Sequence, residues 1–153
     1  MVVYRYKWRF DPVDGVLYLL VNDEVSWETK LTFAPTFLWL NGRATTTDDS
    51  TYVTIGTIPV TTDTTITLEA MVNGFDTGDN VAGFHAMGVF KNVDGTVTQV
   101  DSTEFYLSTA EDSKMDMIYD ISGTDVLIKV RGAGVTMDWN CNFRAQIIAR
   151  PEV

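Results

Sequence analysis

The sequence predicts an all-β protein, an antiparallel β-sandwich of jelly-roll-like form with about nine or ten strands and little or no helix. Three observations predict it. Val135, Met137, Trp139, Cys141, Phe143, Ala145, Ile147 and Ala149 alternate with Thr136, Asp138, Asn140, Asn142, Arg144, Gln146 and Arg150, which is the period of a half-buried strand. Turn signals recur every eight to twelve residues or so along the chain. No convincing helical period longer than about two turns occurs.

Taken in order, residues 3–10 alternate Tyr4, Tyr6, Trp8 and Phe10 with Arg5, Lys7 and Arg9. Asp11-Pro12-Val13-Asp14-Gly15 is a turn, with Pro and Asp-Gly in favourable roles. Residues 16–21 are apolar on both faces, as expected of a central strand, and a third strand covers 25–33. Residues 36–40 form a short apolar piece that ends at Asn41-Gly42, a tight-turn dipeptide. Threonine- and aspartate-rich 45–51 reads as an exposed loop, and 52–60 as a strand with Pro59 at an end or edge. Ile66, Leu68, Ala70 and Val72 form one face of a strand over 65–73. Residues 81–91 alternate through Ala82, Phe84, Ala86, Gly88 and Phe90, and Asp94-Gly95 closes a hairpin onto 97–101. Between 103 and 120 two patterns compete. Ser108 with Glu111 has capping-box spacing and allows one helical turn at 110–113, whereas Met115, Met117, Tyr119 and Ile121 have strand period. Residues 126–131, a Gly-Ala-Gly turn at 132–134 and the terminal strand complete the chain.

The 153 residues favour one domain, 1–153, in which 1–60 is a candidate N-terminal β extension or docking arm. The single cysteine excludes an internal disulfide, and its place between Trp139 and Phe143 predicts a buried, inert thiol. No apolar stretch has signal-peptide or membrane-spanning length, so a protein made in a reducing cytoplasm, or assembled there into something larger, is expected. The net charge of −10 argues against nucleic acid as a partner. That charge is uneven: the first ten residues carry +3 and the remainder −13. A cationic end on an acidic body can dock to a neighbouring copy. Tyr4, Arg5, Tyr6, Lys7, Trp8, Arg9 and Phe10 are therefore the candidate partner-docking residues.

Chemistry-bearing motifs are sparse. His85 is the one histidine and is expected at a surface or interface. Neither a nucleophile elbow nor a phosphate-binding loop occurs, and no cofactor and no catalytic residue is assigned. Most aspartates fall in turns, where their side chains cap backbone N–H groups. Asp76, Asp79 and Asn80 are the metal candidates, and an Asx-rich turn is the competing explanation. Trp8, Trp27, Trp39 and Trp139 each lie within an apolar alternation and are expected in the core, Trp8 least firmly.

Two stretches carry a family resemblance. Residues 86–97 read Ala-Met-Gly-Val-Phe-Lys-Asn-Val-Asp-Gly-Thr-Val, followed by Gln99 and Val100. Residues 121–133 read Ile-Ser-Gly-Thr-Asp-Val-Leu-Ile-Lys-Val-Arg-Gly-Ala, and Trp139 follows. Together they resemble a small β-sandwich domain of structural virion proteins of tailed bacteriophages, found in capsid decoration or cement proteins and in tail fibres and spikes. The likeness covers residues 64–143. It implies a virion protein, assembled in the host cytoplasm, that decorates or cements the capsid by protein–protein contacts. The implied partners are the major capsid protein or other virion proteins, in a homo-oligomer with a trimer favoured. A tail-fibre or spike component, or a glycan-binding β-sandwich module, is the alternative. An enzyme is not expected; a hydrolase would need paired carboxylates facing one concave sheet.

Overall fold

The computed structural model describes residues 38–149 with their side chains, and the backbone alone at 5–11, 16–22, 27–33 and 37. The chain divides into two compact units, 1–36 and 37–153. In the first, β1 (Arg5–Asp11), β2 (Val16–Asn22) and β3 (Trp27–Phe33) form an antiparallel sheet in that order, with the apolar β2 central as expected.

The second unit is a sandwich-like pair of antiparallel sheets. Its strands are β4 (Phe37–Thr46), β5 (Val53–Pro59), β6 (Thr64–Asp76), β7 (Val81–Val93), β8 (Thr96–Ala110), β9 (Asp116–Ser122), β10 (Asp125–Arg131) and β11 (Met137–Ala149). Five strands run β4-β11-β6-β7-β8, and three run β5-β10-β9. The last strand thus returns between β4 and β6, and β10 returns between β5 and β9. These nested pairings of chain-distant strands give the jelly-roll-like character. The sandwich holds eight strands, slightly fewer than expected, because the first three form their own sheet. In addition, the expected strand at 97–101 runs on into the ambiguous stretch as the single bulged strand β8.

The core lies between the sheets and follows the period-two pattern. Ile66, Leu68, Ala70 and Val72 of β6 are fully buried, as are Cys141 and Ala145 of β11. They meet Val126, Ile128 and Val130 of β10 and Met117 and Tyr119 of β9 in one cluster. The large Phe143 is paired with the small Ala70, which is paired with the small Ala86. Gly74 is paired with Trp139, and a Cβ at Gly74 would lie 2.5 Å from the indole ring. Polar atoms of the core are satisfied at specific points. Trp139 Nε1 donates to Thr46 Oγ1 (2.9 Å), and the Tyr119 hydroxyl donates to the Ala86 carbonyl (3.0 Å), its burial pushing the phenol pKa up. Burial likewise pushes the Cys141 thiol up to about 12, which leaves it an unreactive core residue as expected.

Turns close where the sequence places them. Asp94 and Gly95 have φ of 52° and 84°, the pair of positive values that a two-residue type I′ hairpin requires. Three local expectations are corrected. Asn41-Gly42 lies within β4 and is not a turn; Gly42 is needed because a Cβ there would sit 1.8 Å from the Ile55 carbonyl oxygen. The supposed loop at 45–51 begins as strand, and Thr46 is buried under the Trp139 indole. No helical turn forms at 110–113. Instead Glu111 Oε2 accepts the Val81 N–H (2.8 Å) and ties the end of β8 to the start of β7.

Three substitutions test this account. Gly42→Ala forces β4 away from β5 and lowers the stability of the sandwich by about 3 kcal/mol in urea unfolding. Thr46→Val leaves the buried indole N–H without an acceptor and costs about 2 kcal/mol. Trp139→Phe costs less in the Thr46→Val background than in the wild type, because the stranded donor is gone.

Candidate functional site

The alternation that fills the core also furnishes the opposite face of the five-stranded sheet. Register aligns outward side chains in rows across the strands. One row reads Arg43, Asn140, Asn73, Gly83, Thr109 from β4 to β8. Four inter-strand steps make it roughly 19 Å long. Beside it lies the row Thr45, Asp138, Phe75, Val81. Together these residues line a concavity of about 960 Å3, with the aromatic Phe75 and the aliphatic Leu107 and Val81 on its walls. That volume is at the upper end of the roughly 300–1,000 Å3 typical of ligand sites.

Gly83 matters here by what it lacks. It is an outward-facing position near the start of β7 without a side chain, so the sheet is open to a ligand at that point. Around it the polar groups are available. Among the described residues, the side chains of Arg43, Asn73 and Asn140 have no hydrogen-bond or ion-pair partner, and all three are exposed. Amides offer both donors and acceptors, and a guanidinium offers a fork of donors. Among the described residues the one carboxylate lining the concavity is Asp138, which accepts from Thr45 Oγ1 (2.7 Å).

A second cluster lies further along the same face, in the row Trp39, Arg144, Glu69, Met87, Glu104. Glu69 sits between two basic groups: its Oε1 meets His85 Nε2 at 2.7 Å, and its Oε2 accepts from Arg144 Nε. The hydrogen bond to His85 and then that to Arg144 hold the Glu69 carboxyl below its ordinary pKa, against the opposing effect of burial. The Arg144 guanidinium in turn lies 5.4 Å from the centre of the Trp39 ring, in cation–π geometry. His85 also lies beside the Tyr106 ring, with centroids 5.2 Å apart.

The expected site residues are placed as follows. Tyr4 and the side chains of Arg5, Tyr6, Lys7, Trp8, Arg9 and Phe10 lie outside the described residues, as does the side chain of Trp27. Asp76 is buried at the tight loop after β6. Its Oδ2 accepts from Asn80 Nδ2 (3.0 Å), and its Oδ1 accepts from the N–H groups of Asn80 (2.9 Å) and Gly78 (2.7 Å). Its oxygens are thus engaged in capping the loop, and Asp79 turns that loop with φ of 67°. Among the described residues no three His, Cys, Asp or Glu side chains are grouped to hold a metal. His85 lies on the outer face, as expected, and Trp139 is buried as expected. Trp39 corrects its expectation: it is 64% exposed, because β4 presents position 39 to the outer face. The concavity was missed because each of its polar residues reads as a solvent-facing alternate position. The one signal available was Gly83, a glycine on the polar side of a strand.

No protein-family model matches the chain, and no curated protein does. Among solved structures, it is similar to the tailspike protein of Acinetobacter baumannii phage AM24, with a TM-score of 0.48 and 8% sequence identity over 76% of this chain and 27% of that one. It is also similar to tailspike protein gp49 of Acinetobacter baumannii bacteriophage Fri1, a capsular polysaccharide depolymerase, with a TM-score of 0.41 and 11% identity over 95% of this chain and 20% of that one. The chain thus spans about a quarter and a fifth of the length of these two proteins.

The Glu69 cluster makes a pH-dependent contribution. The folded-state pKa of Glu69 is depressed, so its stabilisation is present above 4.5, the ordinary glutamate value, and is lost as pH falls through the lower folded value. Glu69→Gln is therefore less stable than the wild type near neutrality, and the two converge in acid. Thermal unfolding across a pH series reads this directly; a difference that persists unchanged into acid counts against the account.

Proposed function

We propose that this chain is an attachment module of a phage virion, of tail-fibre or spike type, and that it binds glycan across the outer face of its five-stranded sheet. The row of Arg43, Asn140, Asn73 and Thr109 around the open floor at Gly83 carries this reading. A sugar presents a ring of hydroxyls, each both donor and acceptor, and apolar C–H faces. Unengaged amides and a guanidinium answer the hydroxyls, while Phe75, Val81 and Leu107 answer the ring faces. The motifs at residues 86–97 and 121–133 support placement in a virion. Capsid cementing, the first expectation, uses broad protein–protein contact and makes no use of a ligand-sized trough lined with free polar groups, so the tail-fibre reading is preferred. In that setting a homotrimer, with the segment Tyr4 to Phe10 docking to the rest of the particle, remains the proposed assembly.

The proposed activity is binding and not cleavage. Hydrolysis by paired acids needs two carboxylates flanking the scissile bond. Among the described residues Asp138 is the single acid lining the trough, and it is already hydrogen-bonded to Thr45.

An array of immobilised bacterial capsular polysaccharides, including those of Acinetobacter baumannii strains, tests the proposal. The wild type is retained on at least one glycan. Asn73→Ala and Asn140→Ala each weaken that retention roughly tenfold, as expected for a lost hydrogen bond worth about 1.4 kcal/mol, with unchanged unfolding temperature. Retention by neither wild type nor variants on any glycan, or equal retention by all three, overturns the reading.

A further inference from the structure

The exposed Trp39 is not explained by the trough, nor does it serve the core. It stands on the outer face of β4, four residues from Arg43, which is about 14 Å along the strand. Asn41, Asn142 and Met71 form the row between them, so the surface from trough to indole is continuous along β4, β11 and β6. The side chains in that stretch are again amides and an apolar thioether.

The indole is also held in place. Arg144 covers one face of the ring, Glu69 holds Arg144 through its Nε, and His85 holds Glu69 from the other side. The chain of contacts runs across three strands, β11, β6 and β7, and ends on the tryptophan of β4. Arginine suits this position because its planar group can lie against a ring while its edge donates to a carboxylate. A small hollow of about 190 Å3 lies beside the ring, lined by Trp39, Glu69, Met71, Asn142 and Arg144. A pinned ring loses little freedom when a ligand stacks on it, which favours recognition.

We infer that Trp39 is an aromatic stacking subsite for a linear oligosaccharide whose other end occupies the Gly83 trough, so that the protein binds an extended stretch of polysaccharide and not a single sugar. This rests on the glycan-binding reading above and adds the length and direction of its ligand: along the strands, from Arg43 towards Trp39. Arg144 and Glu69 are positioning residues that act through the indole.

The test uses size-graded fragments, from disaccharide to decasaccharide, cut from the capsular polysaccharides of the array, with affinity measured by calorimetry. In the wild type, affinity rises by a step of roughly fivefold, the size of one aromatic stacking contact, once the fragment is long enough to reach from trough to indole. Trp39→Ala removes the step and leaves the affinity for short fragments unchanged, and Trp39→Phe restores part of it. Arg144→Lys lowers the step while short fragments bind as before. Long fragments alter the tryptophan fluorescence of the wild type, and this change is absent in Trp39→Ala. Affinity independent of length in the wild type, or a step that survives Trp39→Ala, overturns the inference and leaves the glycan-binding reading standing. Absence of binding to fragments of every length overturns both. Position 39 is exposed, so the Trp39 variants keep the wild-type unfolding temperature, which separates lost binding from lost fold.

Discussion

The double pairing of β11 is the constraint on which the rest of the sandwich depends. It is bonded along thirteen residues to β6 and along ten to β4, so its register is set from both edges. A slip of one residue would exchange Trp139, Cys141 and Phe143 with Asp138, Asn140 and Asn142, burying three polar groups and exposing the centre of the core. The hydrophobic effect therefore fixes the register. By fixing it, the same interaction aligns the outward residues of β11 with those of β4 and β6. The core and the candidate site are two faces of one alternation.

A rigid sheet is well suited to recognition of this kind. The outward side chains stand on a backbone that is hydrogen-bonded on both sides, so their spacing is set before any ligand arrives. Glu69 illustrates how charge is handled on that face. Its carboxylate is largely buried, and it lies between the Arg144 guanidinium and the His85 ring. A charge taken out of water in this way is stable only when it is partnered, and here the partners also orient the exposed Trp39. By contrast Arg43, Asn73 and Asn140 keep their hydrogen-bonding capacity unspent within the described part of the molecule. The two regions differ in kind: one is ordered by its own contacts, and the other is open to contacts from outside.

Several features of the fold were legible because they follow from local chemistry. Asp94-Gly95 is a hairpin turn in sequence and in structure because few dipeptides accept two positive φ angles in succession. In the ambiguous stretch, Met117 and Tyr119, with Met115 just ahead of them, draw β9 into the core because burying them outweighs the weak pull of a capping box at Ser108 and Glu111. Other features were misread because the deciding contact lies far along the chain. Asn41-Gly42 has the look of a turn, but its glycine answers the approach of the Ile55 carbonyl. Thr46 looks like loop, but its hydroxyl is required by an indole ninety-three residues away.

The sequence by itself determined the all-β class, the faces of the long strands and most of the tight turns, since these depend on side-chain period and on backbone φ preferences, which are local. Only the tertiary structure decided which strands became neighbours. Neighbours decide which outward side chains share a row, and so they assembled Arg43, Asn140, Asn73 and Gly83 into one trough and placed Arg144 against Trp39. Such juxtapositions come from pairing between strands up to about a hundred residues apart, and no periodicity within a single strand encodes them.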